Sequence, residues 1–346
     1  MKISHIYWFA HYNLDGPCVR YRGKYFLENL NTRHQIPFSF VIPGYQCGNI
    51  IHFIKIYFAA LVFRKKNSLI VFQKIYTNGI YANALKILAY MRRKNTIYDM
   101  DDAYYIKFPP DTIHYFLRNS HAIIAGSHEL LRYSQLFNKT GFFSSSPVID
   151  HKRRKVKRNP VFTIGWIGFF NAHRESILQL FLPALLDLNL EIKLIFLGIT
   201  SDIHKMEIRE YLKNKKNITV EIPENIDWQD EIAVYERICE FDMGIAPLID
   251  NEINRAKSAF KLKQYLSCGI PVAGSKVGEN IAVIEEGVNG FFCDLPEDYL
   301  RMILFFNQLP EDKYQWFSDN AKRTSEHFSM ENYCSHYMDY FESATG

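Results

Sequence analysis

Lys257 and Lys261 stand four residues apart at the start of a run, 257–267, whose pattern predicts a helix. At that spacing two side chains share one face, and the unpaired amides of a helix start add partial positive charge, so the pair makes a ready diphosphate site. Arg255, just ahead, offers a planar fork of donors to the same anion. The plainer alternative is a set of solvated charges at a helix start. A second concentration of chemistry is acidic, Asp101-Asp102, directly after a run of strand character. Two adjacent carboxylates can bind a divalent ion, position a hydroxyl or take its proton, and they can equally cap a helix. The loop 11–17, HYNLDGP, contains Asp15 and Gly16 and precedes a helix bearing Arg20, Arg22 and Lys24. Gly16 suits a tight turn, and a basic face beside it suits a phosphate-bearing acceptor. An ordinary strand-to-helix connection is the alternative there.

These residues need elements to hold them. In the first half, strand-like runs over 3–9, 38–42, 68–72, 96–99 and 122–125 alternate with helical patterns, the signature of a parallel sheet. Residues 144–160 break that rhythm with three serines, two prolines and the basic cluster Lys152, Arg153, Arg154, Lys155, Lys157 and Arg158, and predict an interdomain linker. A second alternation follows, with strands over 162–168, 192–198, 218–222, 243–247, 271–275 and 290–293 and helices over 229–239 and 257–267, before a helix-rich tail from about Pro296. The fold class is therefore α/β, with two successive doubly wound units, and ligands in such folds bind outside the carboxyl ends of the strands.

The stretch 241–293 carries Phe241-Asp242, Pro247-Leu248, Lys257, Phe260-Lys261, Gln264-Tyr265, Gly269-Ile270-Pro271-Val272, Ser275, Val277-Gly278, Asn280, Gly287 and Asn289-Gly290-Phe291 in that order. It resembles the donor-binding signature of the family-4-like retaining (group 1) glycosyltransferases, particularly their bacterial polysaccharide branch. TIGWIG at 163–168 looks like the first strand and turn of that family's donor domain, and Trp228 stands where the branch carries a tryptophan. YDMDDA at 98–103 and AIIAGS at 122–127 look like its DxDDA and AxxAGS segments. The resemblance covers nearly the whole chain and is weakest over 30–90.

It implies the GT-B architecture, two Rossmann-like domains facing a central cleft: an acceptor-side domain over 1–155 ending in the basic linker, a donor domain over 156–330, and a helix over 331–346 that returns to the first domain. Donor contacts are implied for Gly168, Trp228, Arg255, Lys257, Ser258, Phe260, Lys261 and Gln264. Asp101, Asp102, Lys257 and Lys261 are implied as catalytic, and Asp15, Gly16 and Arg20 as a loop beside the acceptor. The expected donor is a UDP-sugar, with a GDP-sugar as the alternative, and the expected acceptor is a saccharide or lipid-linked saccharide of bacterial surface polysaccharide or lipopolysaccharide. Charge develops on the β-phosphate as the nucleotide leaves, so cations and amides aimed there lower the barrier and no metal cofactor is expected. Departures from the pattern matter: Ala256 and Gln264 stand where relatives carry two glutamates, and Ala282 replaces another. Gln264 can still bond a ribose hydroxyl, whereas Ala256 contributes nothing polar. His173 and Arg174 are the nearest substitutes for a basic pair after the first donor-domain strand.

Composition narrows the alternatives. The chain has 346 residues, 48% hydrophobic, enough for two cores. Its six cysteines show no paired or zinc-like spacing, which predicts reduced thiols and a cytoplasmic protein. Residues 1–155 hold 22 Lys and Arg against 8 Asp and Glu, and the remainder 19 against 29. The basic half favours an anionic partner, either nucleic acid or the inner membrane leaflet. Nucleic acid is not expected, since the basic residues are dispersed and no helix-turn-helix, zinc-finger or RNP-like pattern occurs. Neither GxGxxG nor a Walker loop is present, which disfavours a nicotinamide enzyme. The apolar run 50–63 is too short to span a bilayer, and with its cationic end, as 50–66, it predicts either a core helix or an interfacial helix resting on anionic lipid. Two other functions fit the same architecture: a sugar-nucleotide epimerase or hydrolase, and a non-catalytic nucleotide-binding module.

Overall fold

A computed structural model describes residues 3–44, 46–62 and 67–345 of the chain. Arg64, Lys65 and Lys66, the cationic end of the 50–66 run, lie outside the described residues. The chain divides into two compact units. The first comprises Met1–Pro147, Arg255–Ser258 and Phe328–Gly346; the second comprises Val148–Asn254 and Ala259–His327.

The first unit is built on strands β1 (His5–Ala10), β2 (Phe38–Val41), β3 (Ser68–Gln73), β4 (Thr96–Met100), β5 (Ala122–Ala125) and β6 (Gly141–Phe143), all parallel, in the order β2-β1-β3-β4-β5-β6. The chain leaves β1 toward β2 and returns on the other side as β3, so the winding direction reverses between β1 and β3. Strands β1, β3, β4 and β5 are buried along their whole length. Helices cover both faces of such a sheet, which is why these strands read as unbroken apolar runs and not as alternation. β6 is absent from the sequence expectation: three residues between turn signals carry no periodicity. On one face of the sheet the rings of Phe72 and Phe116 (5.0 Å) and of Tyr98 and Phe116 (5.5 Å) pack in sequence, each such pair adding about 0.5–1.5 kcal/mol beyond its buried area.

A buried ion pair ties the unit together. Arg22 and Asp99 are both fully buried; Arg22 donates to both carboxylate oxygens and to the Ser144 carbonyl (2.6 Å), and the Tyr337 hydroxyl donates to Asp99 (3.1 Å). Tyr337 comes from the helix Met330–Thr345, which packs its rings on Phe26 of the helix Tyr25–His34 (4.6 Å between Tyr337 and Phe26). Charges can lie this deep only because their hydrogen-bonding capacity is met.

The second unit has strands β7 (Phe162–Ile167), β8 (Ile192–Leu197), β9 (Ile218–Glu221), β10 (Met243–Ala246), β11 (Val272–Gly274) and β12 (Gly290–Phe292), again all parallel, in the order β12-β11-β10-β7-β8-β9. Here the winding reverses between β7 and β10. The basic cluster expected as an interdomain linker belongs to this unit, and four of its six charges are paired inside it. Lys155 is buried against Asp242 (3.0 Å), Arg153 pairs with Glu236 (2.9 Å), Arg154 with Asp319, and Arg158 with Glu311 (3.1 Å) and the carbonyls of Phe306 and Asn307. Asp242 also accepts from the amides of Asn159 and Thr163 and so anchors the entry to β7.

Candidate functional site

In the second unit the place to look is the winding reversal. β7 and β10 are paired only at Met243↔Ile164 and Gly244↔Gly165 and then separate. Tyr265 fills the gap: its hydroxyl accepts from the Ile167 amide (2.9 Å) and donates to the Ile245 carbonyl (3.3 Å). The ring can come this close because position 244 has no side chain; a Cβ there would lie 2.3 Å from the Tyr265 ring. Just beyond β7, Gly168 takes φ 148° and faces Gly198 at φ 114°, where a Cβ would lie 2.0 Å from the Gly168 carbonyl oxygen.

Lys261 reaches into this corner. Its stem passes over Gly168, its ammonium lies 5.1 Å from the Trp166 ring centroid, and its Nζ is 3.1 and 3.3 Å from the two ring nitrogens of His173. Of the two substitutes suggested by sequence, His173 is therefore at the corner, whereas Arg174 is engaged by Glu207 (2.7 Å). Gln264 lies buried one turn further along the same helix, Phe260 is half-buried at its first position, and Trp228 is half-buried in the turn before the helix Glu231–Ile238.

One expectation fails here. The helix predicted over 257–267 runs over Phe260–Ser267, because Ala259 adopts the left-handed conformation (φ 54°), which a right-handed helix cannot contain. Lys257 and Lys261 consequently do not share a helix face. Arg255, Lys257 and Ser258 belong to the first unit, where the Ser258 carbonyl accepts from the Ser145 hydroxyl (3.2 Å) and Ala256 packs in the apolar core. Arg255 ends the short helix Glu252–Arg255 with its side chain exposed.

The first unit has its own cluster, again at the winding reversal, where β1, β3 and β4 end side by side. Asp101 and Asp102 follow β4, and between them and β1 stands Lys74, which follows β3 in the left-handed conformation (φ 58°). The Lys74 ammonium is buried; it lies 3.1 Å from Asp101, donates to Asp102, and sits over the ring of Tyr104 (4.8 Å) and near that of Tyr12 (5.6 Å). Tyr76 stacks on Tyr104 at 4.2 Å, and Tyr12 bonds to the hydroxyls of both. Neither Lys74 nor these tyrosines were singled out by the sequence motifs. The one local signal is a Gln-Lys pair closing an otherwise apolar strand.

Electrostatics divides the two carboxylates. Burial raises Asp101 above the ordinary carboxylate range, with Lys74 opposing. Burial works against Asp102 as well, but Lys74, with Lys257 and Lys107, holds it below that range. Burial and, against it, Asp101 and Asp102 set the Lys74 ammonium, which ends well above its usual value. Lys257 is lowered by burial, partly offset by Asp102, so it belongs to this cluster electrostatically as well as by position. Burial and Lys74 bring His11 down to about 4, which keeps it neutral near pH 7. The arrangement thus presents one half-exposed carboxylate, Asp102, among cations and phenols. It can accept a hydrogen bond from a hydroxyl group.

The loop after β1 is held differently from the expectation. Arg20 is buried and donates to the carbonyls of Leu14 (2.7 Å) and Asp15 (2.9 Å), so its guanidinium braces the loop. Gly16 does not take a positive φ, and a Cβ on it would meet nothing closer than 3.7 Å, so the turn does not require glycine. Asp15 is exposed and hydrogen-bonded to the Asn13 amide (2.7 Å).

No protein-family model matches the chain, and no curated protein matches it significantly. Solved structures do. The chain superposes on Anabaena HepE in complex with UDP-glucose with a TM-score of 0.66 at 13% identity, covering 98% of this chain and 99% of that one. A glycosyltransferase from Rickettsia africae gives 0.68 at 12% identity, covering 99% of each chain. Sucrose-phosphate synthase from Thermosynechococcus elongatus gives 0.66 at 10% identity, covering 98% of each. Likeness over full length at such identities speaks for architecture, and the two doubly wound six-stranded units of this chain have the GT-B fold.

Proposed function

We propose that this protein is a retaining glycosyltransferase that moves a sugar from a nucleotide-diphosphate donor to a hydroxyl of a saccharide or lipid-linked saccharide in bacterial surface polysaccharide or lipopolysaccharide assembly. The observation that carries the reading is the Lys261 ammonium at the corner where β7 and β10 separate, beside Gly168, whose backbone carries no side chain to keep a phosphate away. The donor is proposed as a UDP-sugar, with a GDP-sugar as the alternative; HepE holding UDP-glucose on the same fold supports the first. In this reading Lys261, with the first amides of Phe260–Ser267, neutralises the charge that grows on the β-phosphate as the bond to the sugar breaks. Gln264 takes a ribose hydroxyl, and Gly168, Phe260 and Trp228 line the donor.

On the acceptor side, Asp102 receives the hydrogen bond of the attacking hydroxyl and Lys74 positions both carboxylates. Lys257 contributes positive charge to this group, with Arg255 and Ser258 on the same segment, and the Asp15–Gly16 loop, braced by Arg20, flanks the acceptor. A second reading, a nucleotide-binding module without transfer, is favoured by one observation. Where the resembled family carries a glutamate, Ala256 is 1% exposed in an apolar core.

The test is calorimetric titration of UDP and GDP, followed by turnover of the matching nucleotide sugar with and without a saccharide acceptor. Lys261→Met is expected to weaken the nucleotide diphosphate by about ten- to a hundredfold, the ~1.5–3 kcal/mol of one hydrogen bond to a charged group. Unchanged affinity removes the donor site proposed here. Binding without transfer to any acceptor selects the second reading, and donor consumption without acceptor selects a hydrolase or epimerase.

A further inference from the structure

Between Glu28 and Asp99 lie seventy residues, 29–98, that contain ten Lys and Arg and no Asp or Glu. That stretch holds two neighbouring helices of the first unit, Cys47–Leu61 and Ile80–Met91. They run side by side in the same direction. Phe53 in the second turn of the first helix meets Tyr81 in the first turn of the second (5.1 Å), and Arg92, which caps the second, donates to the Leu61 carbonyl at the end of the first.

Each helix turns an apolar stripe outward. On the first, Ile50, Ile51, Ile54, Phe58 and Val62 are exposed, Ile51 to 60%, at the three- and four-residue spacing of one helix face. On the second, Ile80 (92%), Ile87, Tyr90 (73%) and Met91 are exposed in the same way. Cationic residues lie among them: Lys55 is exposed beside Ile51 and Phe58 on the first helix, and Arg93 and Lys94 are exposed directly after the second. Scattered apolar surface residues need no explanation, but nine large ones on two adjacent helices do.

We propose that these two helices are the surface by which the protein rests on a bilayer rich in anionic lipid. An interfacial helix buries its apolar face at the headgroup boundary while long cationic side chains reach for the phosphates, and it needs neither the length nor the hydrophobicity of a spanning helix. No helix among the described residues has that length and hydrophobicity. Charge selects this occupant over a second copy of the chain. A two-fold interface would set Lys55, Arg93 and Lys94 against their own equivalents with no acid in either stretch to meet them. The inference does not depend on the proposed chemistry, because the residues are surface residues outside both clusters.

The experiment is co-sedimentation of the full chain with vesicles of phosphatidylcholine alone and of phosphatidylcholine with phosphatidylglycerol, at low and high salt. Sedimentation velocity without lipid reports self-association. Binding is expected to the anionic vesicles only and to weaken with salt. Ile54→Glu/Phe58→Glu and Ile87→Glu/Tyr90→Glu are each expected to lower the bound fraction at least tenfold without changing the Tm, while Ile203→Glu/Met206→Glu, exposed residues of the second unit, binds as the unsubstituted protein does. Absence of binding at low salt overturns the proposal, as does equal loss in the second-unit control. A dimer that the two patch variants abolish, with no vesicle binding, assigns the surface to a second copy instead.

Discussion

Asp102 and Lys74 show how much of a site's chemistry is decided by one neighbour. Asp102 is half-exposed and carries a charge that burial opposes, and the Lys74 ammonium is the main reason its carboxyl stays below the ordinary range. A group so depressed is ionised above its folded-state value and loses its function as pH falls through it. Lys74→Met removes that stabilisation, so the acid limb of the kcat profile is expected to move to higher pH, with the plateau reduced and nucleotide-diphosphate affinity little changed. Asp102→Asn is expected to lower turnover across the whole pH range with the same small effect on nucleotide affinity. A profile that keeps its acid limb in Lys74→Met, or full turnover in Asp102→Asn, removes the acceptor role. Lys74 escaped the sequence motifs because its two partners lie 27 and 28 residues later and meet it only when β3 and β4 pair.

The helix Phe260–Ser267 is eight residues long yet serves two purposes. Lys261 and Tyr265, four residues apart, share one face of it: the first reaches the corner beside Gly168, and the second enters between β7 and β10. The Tyr265 hydroxyl replaces the ladder hydrogen bonds that the two separating strands cannot make. Tyr265→Phe leaves the Ile167 amide and the Ile245 carbonyl buried without that partner, a loss of about 1–3 kcal/mol. Because the same residues border the proposed donor site, this variant is expected to show a lower denaturation midpoint in urea and a weaker UDP affinity together. A change in stability alone would mean that the corner does not hold the nucleotide. The expected start of this helix at 257 was three residues early, since helical periodicity continues through Ala259 and only the backbone dihedral of that alanine reveals the break.

On the scale of the whole molecule, the two units carry separate cores and separate buried ion pairs, Arg22–Asp99 in the first and Lys155–Asp242 in the second. Removing one partner of such a pair strands a buried charge and costs about 3–5 kcal/mol. Arg22→Met is therefore expected to lower the melting of the first unit by roughly 10 °C. The double variant Arg22→Met/Asp99→Asn should recover part of that loss. Differential scanning calorimetry that shows the transition unmoved would mean that the pair is not what holds the helix Met330–Thr345 to this unit through Tyr337.

What the sequence determined by itself is the alternation of elements. Each inner strand is buried on both faces, so HIYWFA, SLIVFQ and AIIA stand out as apolar runs whatever lies around them. Gly168 is legible for a related reason, because a local backbone demand leaves its mark within a few residues. Contacts across tens or hundreds of residues leave none. The basic cluster at 152–158 reads as an interdomain linker until Glu236, Asp242, Glu311 and Asp319, 80 to 165 residues away, are seen to pair with four of its six charges. Likewise Lys257 reads as a partner of Lys261 until the chain hands it to the first unit, beside Asp102. A periodic pattern reports which faces are apolar, and charge is assigned to a partner only by the packing that brings distant strand ends together.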